Sequence, residues 1–220
     1  MKALFSRYLL MIALLLGLLP LPAEGRASRQ APLAAIVVNS EGDESDADTS
    51  DGICDITGTS GGDPYSGICT LRAAIETANA TAGADTITFA AGVSTIKPGS
   101  DLPWIDDPVT VNGQKRVELD GNNAANYGFV FSSGSEGSTV AGMVINNFKN
   151  YGIWLWSSTG PYTITNNYVG TDRTGTQAKP NGSCGIYVAA PNTTIENNVI
   201  SGNDGCGLEL KADDNTVIGN

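Results

Sequence analysis

The chain has 220 residues, 41% of them hydrophobic, and a formal charge of −11 with only 12 Lys and Arg. So acidic a protein is a poor partner for nucleic acid or anionic lipid, whose binding depends on neutralising phosphates. It contains no His, which removes Ser-His-Asp and Cys-His catalysis and the usual zinc sites.

Residues 1–27 read as a secretory signal peptide. Lys2 and Arg7 make a positive start, Leu9 to Leu19 form a short apolar run, and Gly25-Arg26-Ala27 is a small-x-small cleavage site. The apolar run is too short to span a bilayer, and no later stretch reads as a transmembrane segment. Cleavage would take Lys2, Arg7, Glu24 and Arg26 away and move the charge from −11 to −13. The expected location is secreted or at the cell surface.

Residues 28–90 read as an N-terminal cap with the first strand. Ala35-Ile36-Val37-Val38 is a strand, followed by an acidic, Gly-rich stretch from Glu41 to Asp63. Asp46, Asp48 and Ser50 alternate like Ca²⁺ ligands. However, Asp51 stands where an EF-hand loop needs Gly and the closing Glu is missing, so no cofactor is expected beyond that weak Ca²⁺ option. Residues 70–79 are a helix with Thr70 as N-cap and Leu71, Ala74, Ile75 and Ala78 on one stripe. A helix with one apolar face ahead of a solenoid acts as its lid. Arg72 is expected to pair with an acidic turn residue such as Asp51 or Asp55. Residues 84–89 then alternate as a strand.

Residues 91–220 read as coils of a parallel β-helix. Gly128-Phe129-Val130-Phe131 returns as Gly152-Ile153-Trp154-Leu155, Gly185-Ile186-Tyr187-Val188 and Gly207-Leu208-Glu209-Leu210, at offsets of 24, 33 and 22 residues. Self-similarity at this period means a solenoid, and short alternating strands with no helix between them make it a β-helix. Val140, Ile164, Ile195 and Val217 form an inward column, and Met143, Asn167, Asn198 and Asn220 a turn column. The Asn column is either a hydrogen-bonded ladder or a set of ordinary turn residues. Residues 170–183 are a polar loop thrown out of one coil, and solenoid insertions often collect on a binding face. The chain stops in mid-coil at Val217-Ile218-Gly219-Asn220, as a C-terminally truncated solenoid would.

Asp51-Gly52-Ile53-Cys54, Cys69-Thr70-Leu71-Arg72-Ala73-Ala74-Ile75 and Gly83-Ala84-Asp85-Thr86-Ile87 resemble the CSLREA-type N-terminal region of exported bacterial proteins. Tyr168-Val169-Gly170-Thr171-Asp172, with Gly175-Thr176 and Pro180-Asn181-Gly182, looks like a coil insertion of the same group. Ser-Leu-Arg-Glu-Ala of that group appears here as Thr70-Leu71-Arg72-Ala73-Ala74. The resemblance implies an all-β, right-handed parallel β-helix of the pectin-lyase-like kind, and specifies no chemistry.

Four Cys in an exported chain suggest disulfides. Cys54 and Cys69 are expected to be bridged, contributing about 3 kcal/mol by closing a loop of roughly 15 residues. Cys184 and Cys206, one coil apart, are either bridged or stacked free thiols. Trp154, Trp156 and Tyr187 alternate with inward residues and therefore face outward, where they would form a flat platform for sugar rings unless the long loop or a neighbouring domain covers them. No two carboxylates fall on neighbouring outward positions, as hydrolysis of a glycosidic bond requires. Two functions follow. The first is a non-catalytic, secreted or surface-displayed β-helix that binds polysaccharide or cell-surface glycan, or serves as a structural, adhesin-like module. The second is a polysaccharide lyase or glycoside hydrolase. Oligomeric state is not readable from the sequence.

Overall fold

A computed structural model describes residues 35–58 and 67–220; the signal-peptide reading lies outside the described residues. The chain order is β1 (Ala35–Val38), α1 (Leu71–Ala80), β2 (Asp85–Phe89), β3 (Thr95–Ile96), β4 (Val109–Asp120), β5 (Phe129–Phe131), β6 (Thr139–Asn146), β7 (Ile153–Leu155), β8 (Thr163–Thr165), β9 (Tyr168–Val169), β10 (Ile186–Val188), β11 (Thr194–Glu196), β12 (Val199–Ile200), β13 (Leu208–Leu210) and β14 (Thr216–Ile218). Among the described residues these strands pair in parallel throughout, and an isolated bridge between Thr171 and Ala178 is antiparallel. One sheet runs β1-β2-β4-β6-β8-β11-β14, with β3 on β4 and with β9 between β6 and β12; the second runs β5-β7-β10-β13. Strands that recur every coil and pair in parallel with their counterparts make this a parallel β-helix.

The inward columns are those the repeat suggests. Val111, Val140, Ile164, Ile195 and Val217 are in register through β4, β6, β8, β11 and β14. Phe129, Ile153, Ile186 and Leu208 are in register through the second sheet. Through Ile195 and Ile186 these side chains are almost wholly buried. Each contributes about 1.5–3 kcal/mol by leaving water. In the last coil the same columns reach the surface, and Leu210, Val217 and Ile218 are exposed.

The glycine that opens each repeat is required by close approach of neighbouring coils. A Cβ at Gly152 would sit 2.9 Å from the Gly185 carbonyl oxygen, and one at Gly185 would sit 2.8 Å from that of Gly207. At Gly128 it would press into the Gly152 carbonyl. The Asn column is a ladder. Asn167 Oδ1 accepts from Met143 N (2.9 Å), and its Nδ2 donates to Val140 O (2.9 Å) and Asn198 Oδ1 (3.0 Å). Asn198 repeats the pattern one coil on, with Nδ2 to Ile164 O and to Asn220 Oδ1. Side-chain amides here satisfy backbone groups at a turn buried from water.

The helix forms as the sequence suggests, with the Thr70 hydroxyl accepting from Ala73 N. Its buried residues include Leu71, Ala74, Ile75 and Ala78, which join the core beside β1 and β2. Arg72 pairs with Asp43 (2.9 Å) rather than with Asp51 or Asp55, and also donates to the carbonyls of Ser100 and Asp101. Asp51 and Asp55 accept from amides two residues on, Ile53 N and Thr57 N, so their carboxylates close their own turns. The carboxylates of Asp46 and Asp48 are similarly engaged. Asp46 accepts from Asp48 N and Thr77 Oγ1, and Asp48 accepts from both the amide and the hydroxyl of Ser50.

Candidate functional site

The second sheet presents three outward columns. Along its middle, Val130, Trp154, Tyr187 and Glu209 are in register, and Trp104 precedes Ile105, which bridges to Phe131. On one side lie Tyr127, Tyr151, Cys184 and Cys206, each one residue before a repeat glycine. On the other side Trp156, Ala189 and Lys211 follow one another, each donating its amide to the end of the preceding strand, at Phe131 O, Leu155 O and Val188 O.

Six aromatic residues therefore share one face. Trp154 is the hub, with ring centroids 4.8 Å from Tyr127, 4.9 Å from Trp156, 5.6 Å from Tyr151, and 6.3 Å from Tyr187 and Trp104. The rings are tilted rather than coplanar: Trp154 and Tyr187, though in register, meet at 88°, and Trp154 and Trp156 at 73°. Edge-to-face contact suits the ring quadrupoles. Trp104 and Trp154 lean together across Val130, which is only 3% exposed. Trp104 and Trp156 remain 44% and 53% exposed at the flanks, while the Trp154 Nε1 is buried without a hydrogen-bond partner. Asn79, at the end of α1, holds Trp104 in place by donating to its carbonyl (2.7 Å) and accepting from Asp106 N (2.9 Å).

Trp154, Trp156 and Tyr187 lie together on one face, but the flat platform expected of them does not form, because the rings meet edge to face at 73° and 88°. Sequence reasoning missed Trp104, Tyr127 and Tyr151. The two tyrosines carried a readable signal, since each stands immediately before a repeat glycine. Trp104 did not, because it belongs to no repeat.

The expected Cys54–Cys69 disulfide is present, and of the two arrangements open to Cys184 and Cys206 the structure has the bridge. The second extends the tyrosine column beyond Tyr151. Cys184 Sγ lies 3.6 Å from Glu209 Oε2, and Glu209 is ion-paired with Lys211. Among the described residues, Cys184, Cys206 and Glu209 are the one group of three His, Cys, Asp or Glu residues whose donor atoms all lie within 4.8 Å of one another.

The long loop lies on the other sheet, over β4. Arg173 donates to Glu118 Oε2 (3.3 Å), Arg116 O (3.0 Å), Ser94 O (2.5 Å) and Thr95 Oγ1 (2.6 Å), and Lys179 Nζ contacts Glu118 Oε1 at 2.6 Å. The contacts of these two side chains therefore pin the loop away from the aromatic face. Glu118 is almost wholly buried. Burial opposes its charge, yet hydrogen bonds from Lys179 and Asn146, with the attraction of Lys179, hold the carboxyl below the usual Glu range.

Glu118 and Asp120, two apart on β4, are an acidic pair that sequence reasoning overlooked, because it compared neighbouring coils rather than positions along one strand. Asp120 accepts from Asn122 N and Asn147 Nδ2, both at 2.9 Å, and faces Lys97 at 3.8 Å. Both carboxylates are committed to protein partners. A glycosidase pair must instead offer one carboxyl to the leaving oxygen and one to water or the sugar.

Among the described residues no helix is long and apolar enough to cross a membrane. No curated protein matches the chain, and no solved structure does. The family model described as periplasmic copper-binding protein (NosD) matches residues 74–220, from within α1 to the last residue, and the chain belongs to that family.

Proposed function

We propose that this protein is an exported, non-catalytic β-helix that binds glycan on the face built around Trp154. The observation that carries the reading is the pair of exposed indoles, Trp104 and Trp156, held on a rigid sheet against a central tryptophan. Exposed aromatic clusters of this kind favour ligands with flat apolar faces and polar rims, as sugar rings have. The family description supports a periplasmic location, in keeping with the expected signal peptide.

The same description names copper. Protein copper is held by imidazole, thiolate and thioether donors. The sequence has no His and three Met. Met143 is buried in the core, and Met1 and Met11 lie outside the described residues. All four Cys are spent in disulfides. Among the described residues, the oxidised chain offers a copper ion none of these donors at the surface.

The test is binding of the mature protein to a panel of neutral and acidic oligosaccharides by isothermal titration calorimetry. The double variant Trp104→Ala/Trp156→Ala should bind the best ligand about 10–100-fold more weakly, from about 1–3 kcal/mol for two lost ring contacts. Its β-rich circular dichroism should be unchanged. Wild-type protein that binds no glycan in the panel, or a double variant that binds as wild type does, refutes the reading.

A further inference from the structure

The exposed side of the aromatic face is edged with carboxylates that no cation neutralises. We infer that the face built around Trp154 selects glycans whose sugars carry a protonated amino group, with Asp106 and Glu136 as the residues that set the preference. This rests on the glycan reading and narrows it from sugar rings in general to cationic amino sugars.

Three observations carry it. The first is the position of the acids. Ser132 donates its amide to Ile105 O as Trp156 donates to Phe131 O, so Asp106, Ser132, Trp156, Ala189 and Lys211 form one outward column. Asp106 is exposed, and Ser132 Oγ donates to its carboxylate. Glu136 reaches the turn that follows Trp156, where it accepts from Ser157 Oγ (3.0 Å) and from Thr159 Oγ1. Asp213 and Asp214 are exposed in the turn that follows Lys211.

The second is that this charge is uncompensated. The carboxylates of Asp106 and Glu136 meet neutral donors, and among the described residues neither is ion-paired. Hydrogen bonds from Thr159 and Ser157, against the cost of burial, hold the Glu136 carboxyl below the usual Glu range, so it stays charged in mildly acidic solution. Lys211 is already paired with Glu209. On the tyrosine side Lys149 donates to Ala124 O (2.8 Å), and Asp101 accepts the Tyr127 amide (3.2 Å).

The third is the chemistry of the exposed rings. An indole face is the best of the aromatic faces for a cation, and Trp104 and Trp156 are both exposed. A neutral sugar gains ring contact alone. An amino sugar gains ring contact, cation–π attraction and the field of the carboxylates. A uronate brings a third carboxylate to Asp106 and Glu136 and is repelled, since charges within about 8 Å are poorly screened in physiological salt. The formal charge of −11 over the chain adds attraction at longer range for a cationic polymer.

The experiment is calorimetric titration of the whole mature protein with oligomers of glucosamine, N-acetylglucosamine and galacturonate of equal length, at a mildly acidic pH that keeps the sugar amines protonated. Wild type should bind the glucosamine oligomer at least about tenfold more tightly than the acetylated one, and the galacturonate oligomer most weakly. Added salt should shrink the ratio, a readout that needs no variant. Asp106→Asn/Glu136→Gln, which keeps the acceptor oxygens, should bring the ratio down towards one with unchanged circular dichroism. If wild type binds none of the three, the glycan reading falls and this inference with it. If the acetylated oligomer binds as tightly as the free amine, if galacturonate binds more tightly, or if neither salt nor the double variant moves the ratio, the charge preference alone is overturned. An oligolysine of the same length that binds as tightly as the glucosamine oligomer would assign the face to basic peptide and overturn it too.

Discussion

Replacing Asn167 by Ala tests whether the asparagine ladder holds the turns of this solenoid together. Asn167 is fully buried, and its side chain makes three hydrogen bonds of 2.9–3.0 Å, to Met143 N, Val140 O and Asn198 Oδ1. The substitution leaves the Met143 amide without this acceptor in a site closed to water, at about 1–3 kcal/mol, and removes two further bonds at about 1 kcal/mol each. The expected loss is about 3–5 kcal/mol in guanidinium unfolding followed by circular dichroism. Asn220→Ala, on an exposed rung, should cost clearly less.

Asn167→Asp sharpens the test. It keeps an acceptor for Met143 N but sets a carboxylate against the oxygens of Val140 and Asn198, so its folded-state pKa is raised. A group of that kind is protonated more readily when folded, and its penalty shrinks as pH falls. The Asp variant should thus be less destabilised near pH 4 than near pH 7. A loss below about 1 kcal/mol for Asn167→Ala, or no pH dependence for Asn167→Asp, would refute the reasoning.

The carboxyl of Glu118 sits below the usual range in the fold. Its contribution is therefore full above the unfolded pKa of about 4.3 and is lost as pH falls through the lower folded value. Melting curves from pH 3 to 7 should show Glu118→Gln approaching wild type only at the acid end. Gly128→Ala should destabilise by about 1–3 kcal/mol, because its Cβ meets a carbonyl oxygen of the next coil rather than a flexible side chain; a neutral result in denaturant would mean that the coils can part there. Cys184→Ser/Cys206→Ser should lose about 3 kcal/mol of stability through the unfolded chain, for a loop of 22 residues, with an unchanged far-ultraviolet spectrum.

What the sequence revealed was what repeats. Phe129, Ile153 and Ile186 could be placed in one buried column because each follows a glycine at a coil's spacing, and Trp154 and Tyr187 faced outward by alternation from them. Asn167, Asn198 and Asn220 could be aligned, though not shown to bond, since turn propensity alone also favours Asn. The rest depended on contacts between parts with no common period. Trp104 reaches Trp154 from an irregular segment held by the helix cap. Glu118 gains its partners from a loop more than 50 residues away. Arg72 had several acids within plausible reach, and Asp43 was the partner because Asp51 and Asp55 were drawn into their own turns.

Arg173 also changes how this molecule should behave under load. Solenoid units normally feel only their neighbours, so a pull on one end peels them off one at a time. Arg173, just beyond β9, grips Ser94 and Thr95 at β3, reaching past β6 and β4. Force applied from the C-terminal side should strip first β14 and β13, then β12, β11 and β10, with little resistance. It should then meet a higher rupture event where the guanidinium rivets non-adjacent coils into one mechanical unit. In a single-molecule trace, Arg173→Ala should merge that event into the plateau before it.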